Sequence, residues 1–185
     1  MSRKFFIDAG GNNGCSVRHF RKNHDKDKSF RIITFEPRSA WNNKYEGFKN
    51  HELINKAVWN EDGTMDFLVD KRKGSGGSTL IAEKNSGKLD RKNPSKVETV
   101  RLSTFISSNT EENDLIYLKL DIEGAEYVVL EDLIETGVIN RVDKLFIEWH
   151  SRKLKGNDWS SREKKIKNHL KEIGLEWELW NALKS

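Results

Sequence analysis

The chain has 185 residues, enough to bury a sizeable core as one domain without disulfides or a structural metal. Charged residues make up 34% of it and hydrophobic ones 35%, yet six Trp and nine Phe supply large pieces of buried surface, which excludes global disorder. The lone cysteine, Cys15, excludes an intramolecular disulfide, and no long apolar segment or signal-like start is present, so we expect a cytoplasmic protein. The net charge is only +4, and the segment from Asp70 to Lys96 accounts for it, with eight Lys or Arg against three Asp or Glu. That excess reads either as a solvated loop or as a handle for an anionic partner.

The first element is the apolar run Phe5–Ile7, which ends in Asp8 and a turn holding Gly10, Gly11, Asn12, Asn13 and Gly14. After Gly14, Val17, Phe20 and His24 recur at helical spacing, with Arg18, Arg21 and Lys22 on the opposite face. Further strand-like runs follow at Ile32–Phe35 and Leu53–Trp59. Between Asp70 and Lys96 lie four Gly, four Ser and one of the two prolines, which predicts a mobile loop inserted within the domain, with a short helix near Thr79–Glu83. Leu115–Leu120 is the fourth strand, interrupted by Lys119, which needs an acidic partner such as Glu148.

A helix starts near Ala125, carries Val128, Val129, Leu130, Leu133 and Ile134, and stops at Gly137. Leu145–Trp149 is the fifth strand. Ser160 and Glu163 form a capping-box pattern ahead of Ile166, Leu170 and Ile173, and "LEWELW" reads as a last strand. Strands apolar on both sides, alternating with helices, predict an α/β domain over residues 1–185: a doubly wound, mostly parallel sheet covered on both faces.

In such a sheet the ligand lies beyond the carboxyl ends of the strands, beside the first turn. The dinucleotide pattern G-x-G-x-x-G fails there, because counting from Gly10 puts Asn12 third and Cys15 sixth; a G-x-x-x-x-G-K-[ST] phosphate loop fails at Cys15 too. A carboxylate at Asp8 would repel phosphate and favour an ammonium or sulfonium group, and S-adenosyl-L-methionine (SAM) carries both. Gly10 and Gly14 would let the backbone approach it, and Asn12 and Asn13 tolerate left-handed turns. Glu36, 28 residues after Asp8 and ending the second strand, suits the two ribose hydroxyls.

With "FIDAGGNNG", "FEP", "NKAVW", "GSGGST", "LKLDIEGAE" and "IEWH" in this order, the chain resembles the FkbM-type SAM-dependent methyltransferases from Phe6 to about His150. Lys119, Asp121, Glu123, Gly124 and Glu126 match the most specific block, K-x-D-x-E-G-x-E. The resemblance implies a Rossmann-like class I methyltransferase core, here with a shortened C-terminal hairpin, that methylates a hydroxyl of a sugar or small natural product and releases S-adenosyl-L-homocysteine. It adds Pro37, Ala57 and Asp121 to the cofactor site.

For the chemistry, His150 is the expected general base by its ordinary pKa, with Asp121 orienting it, binding the acceptor hydroxyl or taking the proton. Ser78, Thr79, Glu123 and Glu148 are the expected acceptor contacts. Asp121, Glu123, Glu126, Glu148 and His150 could hold Mg²⁺ or Ca²⁺, but Glu123 and Glu126 also suit a helix start, and we expect no metal. His19, His24, His51 and His169 read as surface residues. Trp41, Trp59, Trp177 and Trp180 read as core, and Trp149 and Trp159 as near the acceptor. Two rivals are an RNA or DNA methyltransferase gripping phosphates with the basic loop, and a non-catalytic SAM-binding subunit; "DIEG" stands where a nucleic-acid enzyme would carry an N-P-P-Y type tetrapeptide.

Overall fold

The computed structural model describes residues 2–156 and 158–180. Its main sheet is built from β1 (Lys4–Ala9), β2 (Arg31–Phe35), β3 (His51–Ile54), β7 (Leu115–Leu120), β8 (Lys144–Ile147) and β9 (Trp177–Leu179). A second, three-stranded sheet contains β4 (Ala57–Trp59), β5 (Gly63–Phe67) and β6 (Ser95–Arg101). The helices are α1 (Cys15–Asn23), α2 (Leu102–Asn109), α3 (Glu126–Glu135) and α4 (Trp159–Glu172).

The main sheet runs β3-β2-β1-β7-β8-β9 and every pairing in it is parallel, so the domain is a Rossmann-like α/β fold. The chain winds outward from β1 to β3 and then returns to β1's other side with β7. The strand order therefore reverses between β1 and β7, and a crevice opens at their carboxyl ends.

Alternation along β1 sends Phe5, Ile7 and Ala9 to one face and Phe6 to the other. The first face packs on α2, α3 and α4 through Leu102, Ile106, Tyr127, Leu130, Ile166 and Leu170. The second packs on α1, where the ring of Phe6 stacks on Phe20 with centroids 3.8 Å apart. Burial on both faces is what makes the strands apolar along their whole length.

Several expectations are corrected. The run Leu53–Trp59 is two strands in two sheets, because the chain turns at Asn55 and Lys56, where the Asn55 amide donates to the carbonyl of Glu36. No helix forms near Thr79–Glu83. Thr79 instead makes a bridge to Leu68, and its hydroxyl accepts from the amide of Ile81. The start of α4 is capped by Asp158, whose side chain accepts from Ser161 N, and not by Ser160. The loop from Asp70 is closed on itself by the bridge Asp70↔Leu89 and joined to the domain by the bridge Lys84↔Leu154, and its last residues, Ser95 and Lys96, open β6. The expectation of a shortened C-terminal hairpin turns on residues 181–185, which lie outside those described.

The four histidines expected at the surface, His19, His24, His51 and His169, are half-buried, and His51 also shares a hydrogen bond with Thr34 Oγ1 and stacks on Tyr45. No helix among the described residues is long and apolar enough to cross a membrane.

Candidate active site

The crevice is a cavity of about 750 Å³ walled by the ends of β1, β2, β7 and β8 and by the 70–96 loop. It gathers Gly10, Asn12, Asn13, Glu36, Pro37, Ala57 and Asp121 on its wall, together with Ser78, Glu123 and Glu148. Asp8, Gly14, Thr79 and His150 lie behind that wall.

Gly10 is irreplaceable for two reasons. Its φ is +83°, and a Cβ there would sit 1.9 Å from the carbonyl oxygen of Asp121, so the tips of β1 and β7 approach only because no side chain separates them. Glu36 closes β2 with each carboxylate oxygen accepting a backbone N–H, from Asn12 and from Arg38, both at 2.9 Å. Burial raises its pKa and those two hydrogen bonds partly offset the rise. Each oxygen keeps a lone pair for a ligand.

Asp8 does not face the cavity, contrary to expectation. It is fully buried, accepts from the Ser16 hydroxyl at 2.5 Å, and pairs with Lys119 Nζ at 3.1 Å. Lys119 also donates to the carbonyl of Gly10 at 2.7 Å, so this buried ammonium ties the glycine turn to the central strand. Burial alone would lower the Lys119 pKa, but Asp8 and Asp121 outweigh it and raise it. The interruption of the apolar run is thus explained by Asp8, and Glu148 is not its partner. Gly14 caps α1 in the left-handed region, and the Thr79 hydroxyl donates to the carbonyl of Glu123 at 2.8 Å; both shape the wall from behind.

Beside Glu148 four acidic side chains surround one imidazole. His150 is fully buried, with Nδ1 2.9 Å from Glu126 Oε1. Its Nε2 is 3.4 Å from Glu148, 3.5 Å from Glu123 and 3.9 Å from Asp121. Burial would lower its pKa, but Glu126, Glu148 and Glu123 together push it up to about 10. The ring therefore carries both protons at neutral pH and has no lone pair to act as a base. Asp121 is pushed up to about 6 by burial and by Glu148 and Glu126, against the pull of Lys119 and His150. His150 holds Glu148 below the usual carboxylate range. Glu126 stands at the start of α3, where it accepts from the amides of Ile122 and Gly124 at 2.7 and 2.8 Å, so it organises the loop and does not touch the cavity.

Two groups that sequence reasoning missed complete the wall. Lys84, 1% exposed, binds Glu123 at 2.6 Å and the carbonyl of Gly77 at 2.5 Å; nothing in its spacing sets it apart from the other basic residues of the loop. Trp41, expected in the core, lines the cavity beneath the guanidinium of Arg38. Trp149 also lines it, while Trp159 is buried against Tyr127 and Arg162.

The methyltransferase FkbM domain model matches residues 8–174, which takes in every residue of the cavity wall named above. The chain belongs to the FkbM methyltransferase domain family. Among curated proteins, Methyltransferase 1 of Beauveria bassiana (strain ARSEF 2860) is 28% identical over a 167-residue alignment. That alignment takes in 75% of this chain and 65% of the relative, so this FkbM domain spans just under two thirds of the relative's length. No solved structure matches the chain.

Proposed function

We propose that the protein is a SAM-dependent methyltransferase that methylates a hydroxyl oxygen on a saccharide or other small hydroxylated molecule. The observation that carries this reading is the placement of two acidic strand tips, Glu36 and Asp121, on either side of one glycine turn in a single cavity. Glu36 binds the ribose hydroxyls, Gly10 and Asn12 line the methionine portion, and Asp121 lies where cofactor and acceptor meet. Methyl transfer is an in-line displacement at a carbon already activated by its sulfonium, so the protein's task is to align the acceptor and receive its proton.

That proton passes to the pocket-facing carboxylates, Asp121 and Glu148. His150, cationic and buried behind them, is a positioning residue in this scheme, not the base. Ser78 and Glu123 contact the acceptor, and the 70–96 loop covers it.

Calorimetry with S-adenosylhomocysteine tests the reading, followed by transfer of labelled methyl from SAM to a panel of sugars and phenols. Glu36→Ala should weaken binding roughly 10- to 100-fold, the loss of hydrogen bonds to a charged acceptor worth ~1.5–3 kcal/mol. No saturation by either SAM or its product on folded protein would end the proposal.

A further inference from the structure

Nothing in the scheme above uses the Nε2 atom of His150. Its Nε2 is buried and has no hydrogen-bond partner among the described residues, yet it points at three carboxylates. A buried polar atom left in this state costs free energy unless something occupies the space it faces.

We infer that Asp121 Oδ1, Glu123 Oε2 and His150 Nε2 form a binding site for a divalent transition-metal ion, open on its Glu148 side to the acceptor cavity. One ligand atom from each of these three residues lies within 4.8 Å of the other two. Ligands about 2.0–2.2 Å from a metal are spaced by roughly 3–3.5 Å along the edges of an octahedron or tetrahedron. The separations of 3.5 and 3.9 Å from Nε2 to Glu123 and Asp121 lie at or just above that spacing, and the carboxylates close the remainder by turning toward the ion.

The surroundings match what a metal-binding histidine requires. Its other ring nitrogen is fixed by Glu126, and Glu126 is itself fixed by two backbone amides, so the ring cannot turn Nε2 away. Imidazole beside carboxylates suits Mn²⁺, Co²⁺ or Zn²⁺ better than Mg²⁺ or Ca²⁺, which favour all-oxygen shells. A cation here replaces the proton on Nε2. Three positive groups lie nearby: Lys84 at 2.6 Å and Lys153 at 3.7 Å from Glu123, and Lys119 at 3.8 Å from Asp121. Glu123 Oε2 has two lone pairs and can serve Lys84 and a metal together. Glu148, 42% exposed at the side chain, stands at the open side. The inference deepens the acceptor half of the proposed function, and rests on that reading only for what occupies the open positions.

The test is titration of chelator-treated protein with Mn²⁺, followed by loss of the free-ion electron paramagnetic resonance signal, and with Co²⁺, followed by visible absorption. One saturable equivalent is expected. Glu123→Gln and Asp121→Asn should each abolish it, and Glu126→Gln should weaken it about 10- to 100-fold by freeing the ring. Circular dichroism identifies any variant that fails to fold, and the remaining variants then decide.

Absence of saturable binding of either ion to wild-type protein overturns the inference, as does unchanged affinity in the folded variants. Calorimetry with S-adenosylhomocysteine on the same samples separates the two proposals. Metal binding without nucleoside binding would support the site and sink the methyltransferase reading, and the reverse would sink only the site.

Discussion

Replacing Glu126 by Ala removes one carboxylate and strands three donors. The amides of Ile122 and Gly124 lose acceptors at 2.7 and 2.8 Å, and His150 Nδ1 loses its partner at 2.9 Å. Because Glu126 is fully buried, each unpaired amide costs ~1–3 kcal/mol, and breaking a buried charged pair by deleting one member costs ~3–5 kcal/mol. These costs overlap, since the three groups relax together, so the expected loss is roughly 3–5 kcal/mol. For a domain of this size that is a fall in Tm of roughly 6–20 °C. Glu126→Gln keeps the shape and one acceptor oxygen and should fall between Ala and wild type.

Urea unfolding followed by tryptophan fluorescence, with chelator present, gives the numbers at pH 7 and then across pH 7 to 10. The folded-state pKa of His150, about 10, lies above its ordinary 6.5. Its contribution is therefore fully present below 6.5 and is lost as pH rises through about 10. Wild-type stability should fall over that window more steeply than that of Glu126→Gln, whose side chain cannot hold the imidazolium by charge. A Glu126→Ala protein within about 1 kcal/mol of wild type would refute the reasoning, because that lies below the cost of a broken buried pair.

Gly10→Ala should lose at least ~1–2 kcal/mol from its left-handed backbone alone. Its Cβ must also displace the Asp121 carbonyl from 1.9 Å, so binding of S-adenosylhomocysteine should fall with stability; calorimetry showing unchanged affinity would mean the tips of β1 and β7 do not form the cofactor wall. At the other end of β7, Arg3 grips Asp114 through Nε and Nη2 and holds its carboxyl down at about 2. A depressed carboxylate stabilises above its ordinary 3.8, and that stabilisation is lost as pH falls through about 2. Acid titration of Arg3→Ala should show a shallower loss of stability over this window, and an unchanged slope would dismiss the pair.

Much of this protein is determined by its sequence alone. Runs such as "LIYLKL" are apolar on both sides because both faces of the strand are covered, and that local fact is enough to predict a parallel sheet, a crevice and the glycine turn beside it. Glu36 and Asp121 are legible for the same reason, since each ends a strand that can be seen.

Only the tertiary structure decides which acidic residue faces the cavity and which faces a partner. Asp8 and Asp121 both follow apolar strands, but the register β1–β7 sets Asp8 opposite Lys119 and leaves Asp121 beyond the pair, in the cavity. His150 looks like a base from its ordinary pKa. Its charge, however, is set by Glu123 from the loop after one strand, by Glu126 from the start of α3 and by Glu148 from the end of another strand, a sum of distances that no spacing along the chain records.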